Sequence, residues 1–556
     1  MENTIKVYCE NVEQSFDVTL GTSLAEVCRL AALDEGRKMI AALVNNRAKE
    51  LNYRIYKPIR LRFFDTTTTF GYRVYQRTLM FVAQRAVEQL YPSNKLHIRS
   101  AIGDALYCEL DERRSFTPEE CEVLKSRMQM IVDEDIAINR VKRPSEDIVA
   151  LFRERGYEDK EALLTSRPRL YSSVCMMDNT VGYMFGPLAP STGYIGVFDV
   201  VPYHNGFYLV QPDRHQLDRP AVVPKMDKMF SLFDDYAHWV EVLGVPTVGR
   251  MNVKIAQGDA GEIIKIAEAV HERVLSSIAD SIAEANRTRG VKLVLISGPS
   301  SSGKTTTAKR LGIQLRVLGL EPALIELDDY FVERTRTPRD ENGDYDFEAL
   351  EAIDIEQLND HLGRLSAGES VEIPRYDFIS GTRQWHDKPL QLGPRSVLIM
   401  EGIHGLNPRL TPSIPDSAKF RIYASCFTSV AMDDISRIHT SDNRLLRRII
   451  RDNAKRGYKA ADTIARWPSV RRGEEKHIFP NQENADVMFN SSLLYEISVL
   501  RSLAEPLLRE IPDTRPEYAV ARGLLKFLDN FAPISPDEIP PTSILREFIG
   551  GSSFKY

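Results

Sequence analysis

The sequence predicts a multidomain protein: two small α+β units in the first half, then an α/β unit built on a parallel sheet. Three observations carry that prediction. Residues 292–310, KLVLISGPSSSGKTTTAKR, read as an apolar strand, a glycine-bounded loop and the start of a helix. From Val291 to roughly Pro512, strand-like and helix-like patterns alternate, which implies a parallel sheet with helices on both faces. Near the start, Ile5–Tyr8 and Ser15–Val18 alternate apolar and polar residues as a hairpin does.

The strand–loop–helix comes first because the rest is organised around it. Leu293–Ser297 is short and apolar enough for a buried strand, and it leads into Gly298-x-x-x-x-Gly303-Lys304-Thr305. That order is what a phosphate-binding P-loop requires. Glycines let backbone N–H groups turn inward around phosphates, and the helix N-terminus adds partial positive charge. The nucleotide-binding set is Gly298, Ser300, Ser301, Ser302, Gly303, Lys304, Thr305 and Thr306, with ATP and Mg²⁺ as the implied cofactors. Lys304 is expected to reach the β- and γ-phosphates and the Thr305 hydroxyl to ligate Mg²⁺. A Gly/Ser-rich turn that fits by chance is the competing reading, and the flanking strand and helix count against it.

Composition narrows the class. A chain of 556 residues, 43% hydrophobic and 27% charged, is long enough for several cores. A net charge of −6 gives no global reason to expect nucleic-acid or acidic-membrane binding. Six cysteines without a CxxC pair argue against a zinc ribbon or disulfide framework and suit a reducing compartment. MENTIKVYCE lacks the basic and apolar regions of a signal peptide, and no apolar run approaches a bilayer span. A cytoplasmic protein is expected.

In chain order, residues 1–66 form the first unit. Thr22 or Ser23 caps a helix through Ala32, and Ala41–Asn45 and Ile59–Phe63 add strands. Gly21-Thr22-Ser23-Leu24, Ala42-Leu43-Val44-Asn45-Asn46 and Leu51 resemble a TGS domain, a β-grasp module. A generic ubiquitin-like fold would show the same pattern. Residues 67–225 resemble the second domain of threonyl-tRNA synthetases, through Leu90-Tyr91-Pro92, Phe116-Thr117-Pro118-Glu119-Glu120 and Gly186-Pro187-x-x-Pro190-Ser191-Thr192-Gly193. That resemblance implies an editing site with an HxxxH and a later Cys and His; here those positions hold Arg77, Phe81, Met184 and Leu188. Arg and Phe cannot coordinate a metal or shuttle protons at neutral pH, and Met and Leu cannot replace a thiolate and an imidazole, so a scaffold without editing chemistry is expected. His204 is read as a packed structural residue. Residues 226–290 form a connector, which ends in one long helix over Asp259–Ala285 with apolar residues at spacings of three and four. Packing on the α/β body that follows is the favoured reading of that stripe, with a coiled-coil seam between two copies the lesser one.

Within 291–512 four further signals follow the P-loop. Leu324–Phe331 delivers Asp328, Asp329 and Tyr330 to the carboxyl end of a strand, where a carboxylate could accept a hydroxyl proton; a solvated strand-end turn is the bland alternative. Tyr376, Asp377 and Phe378, with Arg383, suit a planar base, although such a pair is more often core. Ser396–Gly402 ends a buried strand in Glu401, the form of a Walker B element. Arg437–Lys476 holds twelve Lys or Arg against five Asp or Glu, with Arg444, Arg447, Arg448 and Arg451 at helical spacings. A nucleic-acid patch or a lid over the triphosphate would both look like this, and the lid is favoured.

P-loop, DDYF, YDF, the EG strand, and RLLRRIIRDNAKRG followed by FPNQENADV resemble the uridine kinase/phosphoribulokinase family in order and spacing. The resemblance implies Asp328 as general base and Lys304 as its catalytic partner, with Thr305 and Glu401 at the metal. It implies Asp329, Tyr330, Tyr376, Phe378, Arg383, Arg444 and Arg447 on the substrate side. Where uridine kinases place a base-reading His after YDF, this chain has Gly381, which puts uridine in question. The expected function is phosphorylation of a small-molecule hydroxyl, a nucleoside 5′-hydroxyl foremost. Another hydroxylated metabolite, or an ATP-binding regulator that grips RNA, are the rivals; RNA and a second copy of the chain are the lesser partner calls. Residues 513–556 form a tail that offers no legible chemistry.

Overall fold

The computed structural model describes residues 4–33, 38–111, 114–223, 225–340, 343, 345–377 and 380–556. Its first unit is a five-stranded sheet ordered Gln14–Thr19, Thr4–Cys9, Ile59–Phe64, Ala41–Val44, Arg47–Lys49. The first and last-formed central strands pair in parallel, Val7 opposite Ile59, which gives the β-grasp arrangement. Helix Leu24–Leu30 begins as expected at Ser23, where Ser23 and Glu26 form a reciprocal capping box.

Helix Thr69–Leu90 then packs under an antiparallel sheet ordered Asp199–Tyr203, Gly206–Val210, Ala105–Leu110, Leu96–Ile102. The four former editing positions sit in this unit as packing residues. Phe81, Met184 and Leu188 are buried, and Arg77 Nε donates to the Pro187 carbonyl at 3.1 Å. A Cβ on Gly182 would fall 2.8 Å from Phe81 and 3.3 Å from Met184, so apolar side chains crowd the spot. His204 stacks on Phe230, ring centroids 4.1 Å apart.

The connector holds two helices ahead of its long one, Asp227–Val242 and Val248–Ala256. They form because Met229, Tyr236, Val240, Val248 and Met251 have a core to enter. The long helix runs Ala260–Arg289, and its stripe of Ile263, Ile264, Ala267, Leu275, Ile278 and Ile282 is buried within the chain itself. The seam is therefore filled internally, and Gly290 ends the helix in a left-handed cap.

The last sheet is wholly parallel, in the order Glu321–Glu326, Ser396–Glu401, Leu293–Ser297, Lys419–Ser425, Val487–Asn490. Alternation along the P-loop strand divides its side chains between two cores. Val294 and Ile296 face helices Ala260–Arg289 and Lys304–Val317; Leu293 and Leu295 face helix Ile355–Ser366. No helix among the described residues is long and apolar enough to cross a membrane.

Two histidines are sealed into this half. His271 Nε2 donates to the Ser492 carbonyl at 3.0 Å, and burial pushes its pKa down to about 3. Burial, then His477, pushes His404 to about 4. An unfolded chain takes up these protons near pH 6.5, whereas the folded chain resists until those lower values. The stability that these two histidines contribute should therefore be full above pH 6.5 and fall below it, by up to about 1.4 kcal/mol per pH unit for each. Denaturant midpoints measured from about pH 7.5 to about pH 5 check this, with His271→Asn expected to flatten the acid limb.

Candidate nucleotide and acceptor site

The parallel strands end together, and the P-loop bridges the central one to its helix. Gly298 is required there, because a Cβ would fall 1.9 Å from the Ala424 carbonyl oxygen. Ser301 and Gly303 take left-handed conformations, φ 59° and 80°, and curl the loop back on itself. The Ser301 and Ser302 hydroxyls are buried without partners. Lys304 Nζ donates to the Pro299 carbonyl at 3.3 Å, and the Thr305 hydroxyl donates to Glu401.

Glu401 is buried, and this burial pushes its carboxyl up to about 8; Lys304 opposes the shift while Glu326 and Asp328 add to it. Burial likewise raises Asp328, with Lys304 pulling it down and Asp329 pushing it up. Two carboxylates, Glu401 and Asp328, thus share one lysine. A Thr hydroxyl beside oxygen-only carboxylate donors suits a hard divalent cation, and two orphaned hydroxyls in a curled loop suit phosphate oxygens. The residues fit ATP and Mg²⁺.

The expected substrate residues mostly serve the scaffold. Tyr330 is buried, its hydroxyl 3.0 Å from His361 Nδ1. Arg383 donates to the carbonyls of Phe331 and Tyr330 and pairs with Asp354 at 3.0 Å, which pins the DDYF turn. Asp329 accepts from the Tyr376 N–H, and the buried Tyr376 ring packs edge-on against Phe331 at 5.6 Å. Phe378 and the acidic Asp344 lie outside the described residues.

Arg444 and Arg447 depart furthest from expectation. Their side chains are 1% and 0% exposed and ion-paired to the buried Glu474 and Glu496. Arg444 also donates to the Ser300 carbonyl at 3.0 Å and Arg447 to the Ser301 carbonyl at 3.3 Å. Glu474, which opens a one-turn π-helix at Glu474–Ile478, accepts the Ser300 N–H at 3.1 Å. These two arginines staple the P-loop from behind instead of reaching over it. Helical spacing put them on one face, but the sequence could not say that the face points inward. The arginines that sense Asp328 are Arg451 and Arg456, and Arg448 reaches the Ser300 hydroxyl at 3.0 Å.

Two more features escaped the sequence reading. Glu348 is pushed up to about 7 by burial and by Glu474, and it senses Asp328 as well. The tail also packs against the loop. Thr306 donates to Glu547 at 2.6 Å and lies 2.9 Å from the Tyr556 hydroxyl, while Ile544 and Phe548 are fully buried in the P-loop core. A Cβ on Gly303 would fall 2.7 Å from Ile544. The signal was present: Ile544, Leu545, Phe548 and Ile549 before Gly550-Gly551 are one helical turn of apolar residues and a glycine stop.

Residues 293–498 match the model of the phosphoribulokinase/uridine kinase family. A uridine kinase of Staphylococcus aureus is 29% identical over 201 residues, 36% of this chain and 87% of that protein. Threonine–tRNA ligases match the N-terminal part. The ligase of Clostridium kluyveri is 27% identical over 190 residues, 34% of this chain and 30% of the ligase; that of Carboxydothermus hydrogenoformans is 26% identical over 217 residues, 39% and 34%. The chain thus spans about a third of the length of those ligases. Its C-terminal part is similar to the phosphoribulokinase/uridine kinase family over residues 293–498. Ahead of it stands a part similar to threonine–tRNA ligases.

Proposed function

We propose that the protein transfers the γ-phosphoryl group of ATP to the hydroxyl of a small molecule, with a nucleoside 5′-hydroxyl the favoured acceptor. The observation that carries this reading is the raised carboxyl of Asp328 within electrostatic reach of Lys304, at the strand end beside the curled P-loop. Asp328 accepts the proton that the acceptor hydroxyl loses as its oxygen bonds to the γ-phosphorus and ADP leaves. Gly298 to Thr306 bind and orient the phosphates, with Lys304 against the β- and γ-oxygens. Thr305 and Glu401 would hold Mg²⁺, which neutralises charge on the phosphate oxygens. Of the expected lid arginines, Arg448 and Arg451 keep that role, joined by Arg456, whereas Arg444 and Arg447 do not. Glu348, opposite Asp328, is suited to accept a hydrogen bond from a second acceptor hydroxyl.

One observation keeps a second acceptor class in play. Gly381 sits at φ +74°, and a Cβ there would fall 2.7 Å from Arg334 Nε. A base-reading side chain has no room at that position, which favours a hydroxylated metabolite other than uridine. ADP release with Mg-ATP and a panel of nucleosides, sugar phosphates and hydroxy acids separates the two. Turnover with at least one nucleoside is the expected result. Turnover only with non-nucleoside acceptors transfers the assignment to the second class, and none with any acceptor defeats both.

A further inference from the structure

A cavity of about 60 Å³, half of its lining residues apolar, lies where the synthetase-like sheet, the connector and the kinase-like part meet, away from the P-loop. Two arginines and four hydroxyl residues line it: Arg99, Arg437, Ser100, Thr428, Ser429 and Thr440. No carboxylate is among its described lining residues. It shares Arg99, Ser100 and Phe233 with a cleft of about 220 Å³ whose walls include Tyr107, Phe230 and Tyr236 and the carboxylates Glu109, Asp234, Glu241 and Asp434.

Several polar groups there lack partners. Ser100 is 2% exposed and its hydroxyl is unbonded; Thr247, on the wall of the larger cleft, is 6% exposed with an unbonded hydroxyl. Arg437 Nε and Nη1 are buried and unbonded too. Its neighbouring charges are Arg73 and Asp442, and Asp442 is already taken by Arg73 at 2.7 Å. Burial, then Arg73, lowers Arg437 to about 10, so its charge is poorly compensated. Arg99, by contrast, is balanced by Glu109 at 3.0 Å and Glu241 at 3.5 Å. Thr428 donates its proton to the Ile438 carbonyl, whereas Ser429 accepts from Asn490 and keeps its own proton to give. The Leu96–Ile102 strand bulges at Arg99, between the pairs Ile98–Cys108 and Ser100–Tyr107, and such bulges re-aim side chains near binding sites.

We infer that this junction is a binding site for a small organic phosphate with a planar apolar body, a nucleoside monophosphate in class. The phosphate occupies the inner cavity against Arg437, Ser100 and Ser429, and the planar body lies in the aromatic cleft. An orphaned buried guanidinium and an orphaned buried hydroxyl are costly when empty, and an anion satisfies both. Ligand sites favour domain junctions of this kind. The loop that forms the kinase wall, from Thr428 to Thr440, runs directly into helix Thr440–Arg456, which staples the P-loop.

The test is isothermal titration of the full-length protein, saturated with Mg²⁺ and a non-hydrolysable ATP analogue, with AMP, UMP and inorganic phosphate as probes. A nucleoside monophosphate is expected to bind, about ten-fold or more tightly than inorganic phosphate. Arg437→Gln and Ser100→Val should each weaken it by about ten-fold, whereas Glu348→Gln, on the acceptor side, should leave it unchanged. Ser100→Val alters no charge, so the inference remains testable if Arg437→Gln fails to fold. Absence of binding, binding insensitive to both junction variants, or binding lost in Glu348→Gln would each overturn it.

Discussion

Replacing Asp328 by Asn is expected to lower kcat for the acceptor reaction by about 10²–10⁴, the range that a positioned general base contributes. The amide keeps the size of the side chain but cannot take a proton. KM for ATP should move little, because the proposed phosphate site, Gly298 to Thr306, makes no bond to Asp328 in this structure. Steady-state kinetics with the best acceptor, alongside nucleotide titration, separate the two quantities. Loss of kcat with unchanged ATP binding supports proton transfer by Asp328. A variant that turns over at the parent rate removes the base assignment and favours a P-loop that acts as a switch. Asp329 gives the contrast. Its carboxylate holds the Tyr376 N–H and lies 3.5 Å from His386, so Asp329→Asn should disturb the hairpin and acceptor KM more than the chemical step.

How far the sequence could be read follows from the range of the forces involved. The P-loop, its strand and the capped helix at Ser23 are local: each depends on residues within a few positions, and each stands where expected. The parallel sheet was legible as a class but not in its order, since Glu321–Glu326 and Leu293–Ser297 are separated by a strand that arrives a hundred residues later. Side-chain direction was the weakest link. Arg444 and Tyr330 carry the right chemistry for a substrate site, and only tertiary burial assigns them to the scaffold. The tail was misjudged because its chemistry is borrowed: Glu547 and Tyr556 acquire a role from Thr306, some 240 residues earlier.

The Arg444–Glu474 pair yields the second large effect. Glu474→Gln leaves a guanidinium that is 1% exposed without its counter-charge, and breaking a buried pair from one side costs about 3–5 kcal/mol. For a unit of some 200 residues that is a fall in Tm of about 6–20 °C. Arg444→Met should cost less, because Glu474 keeps the Ser300 N–H and its pair with Arg471 at 2.9 Å. The double variant, Glu474→Gln with Arg444→Met, removes both charges and should be less destabilised than the sum of the two singles. A substrate-contact role predicts a different pattern: Arg444→Met would then raise acceptor KM with Tm almost unchanged. Calorimetry and kinetics on the same three variants distinguish the two. If burial governs, Tm falls in both singles and partly recovers in the double, and ATP affinity follows Tm, because the carbonyl of Ser300 and its N–H are both held by this pair.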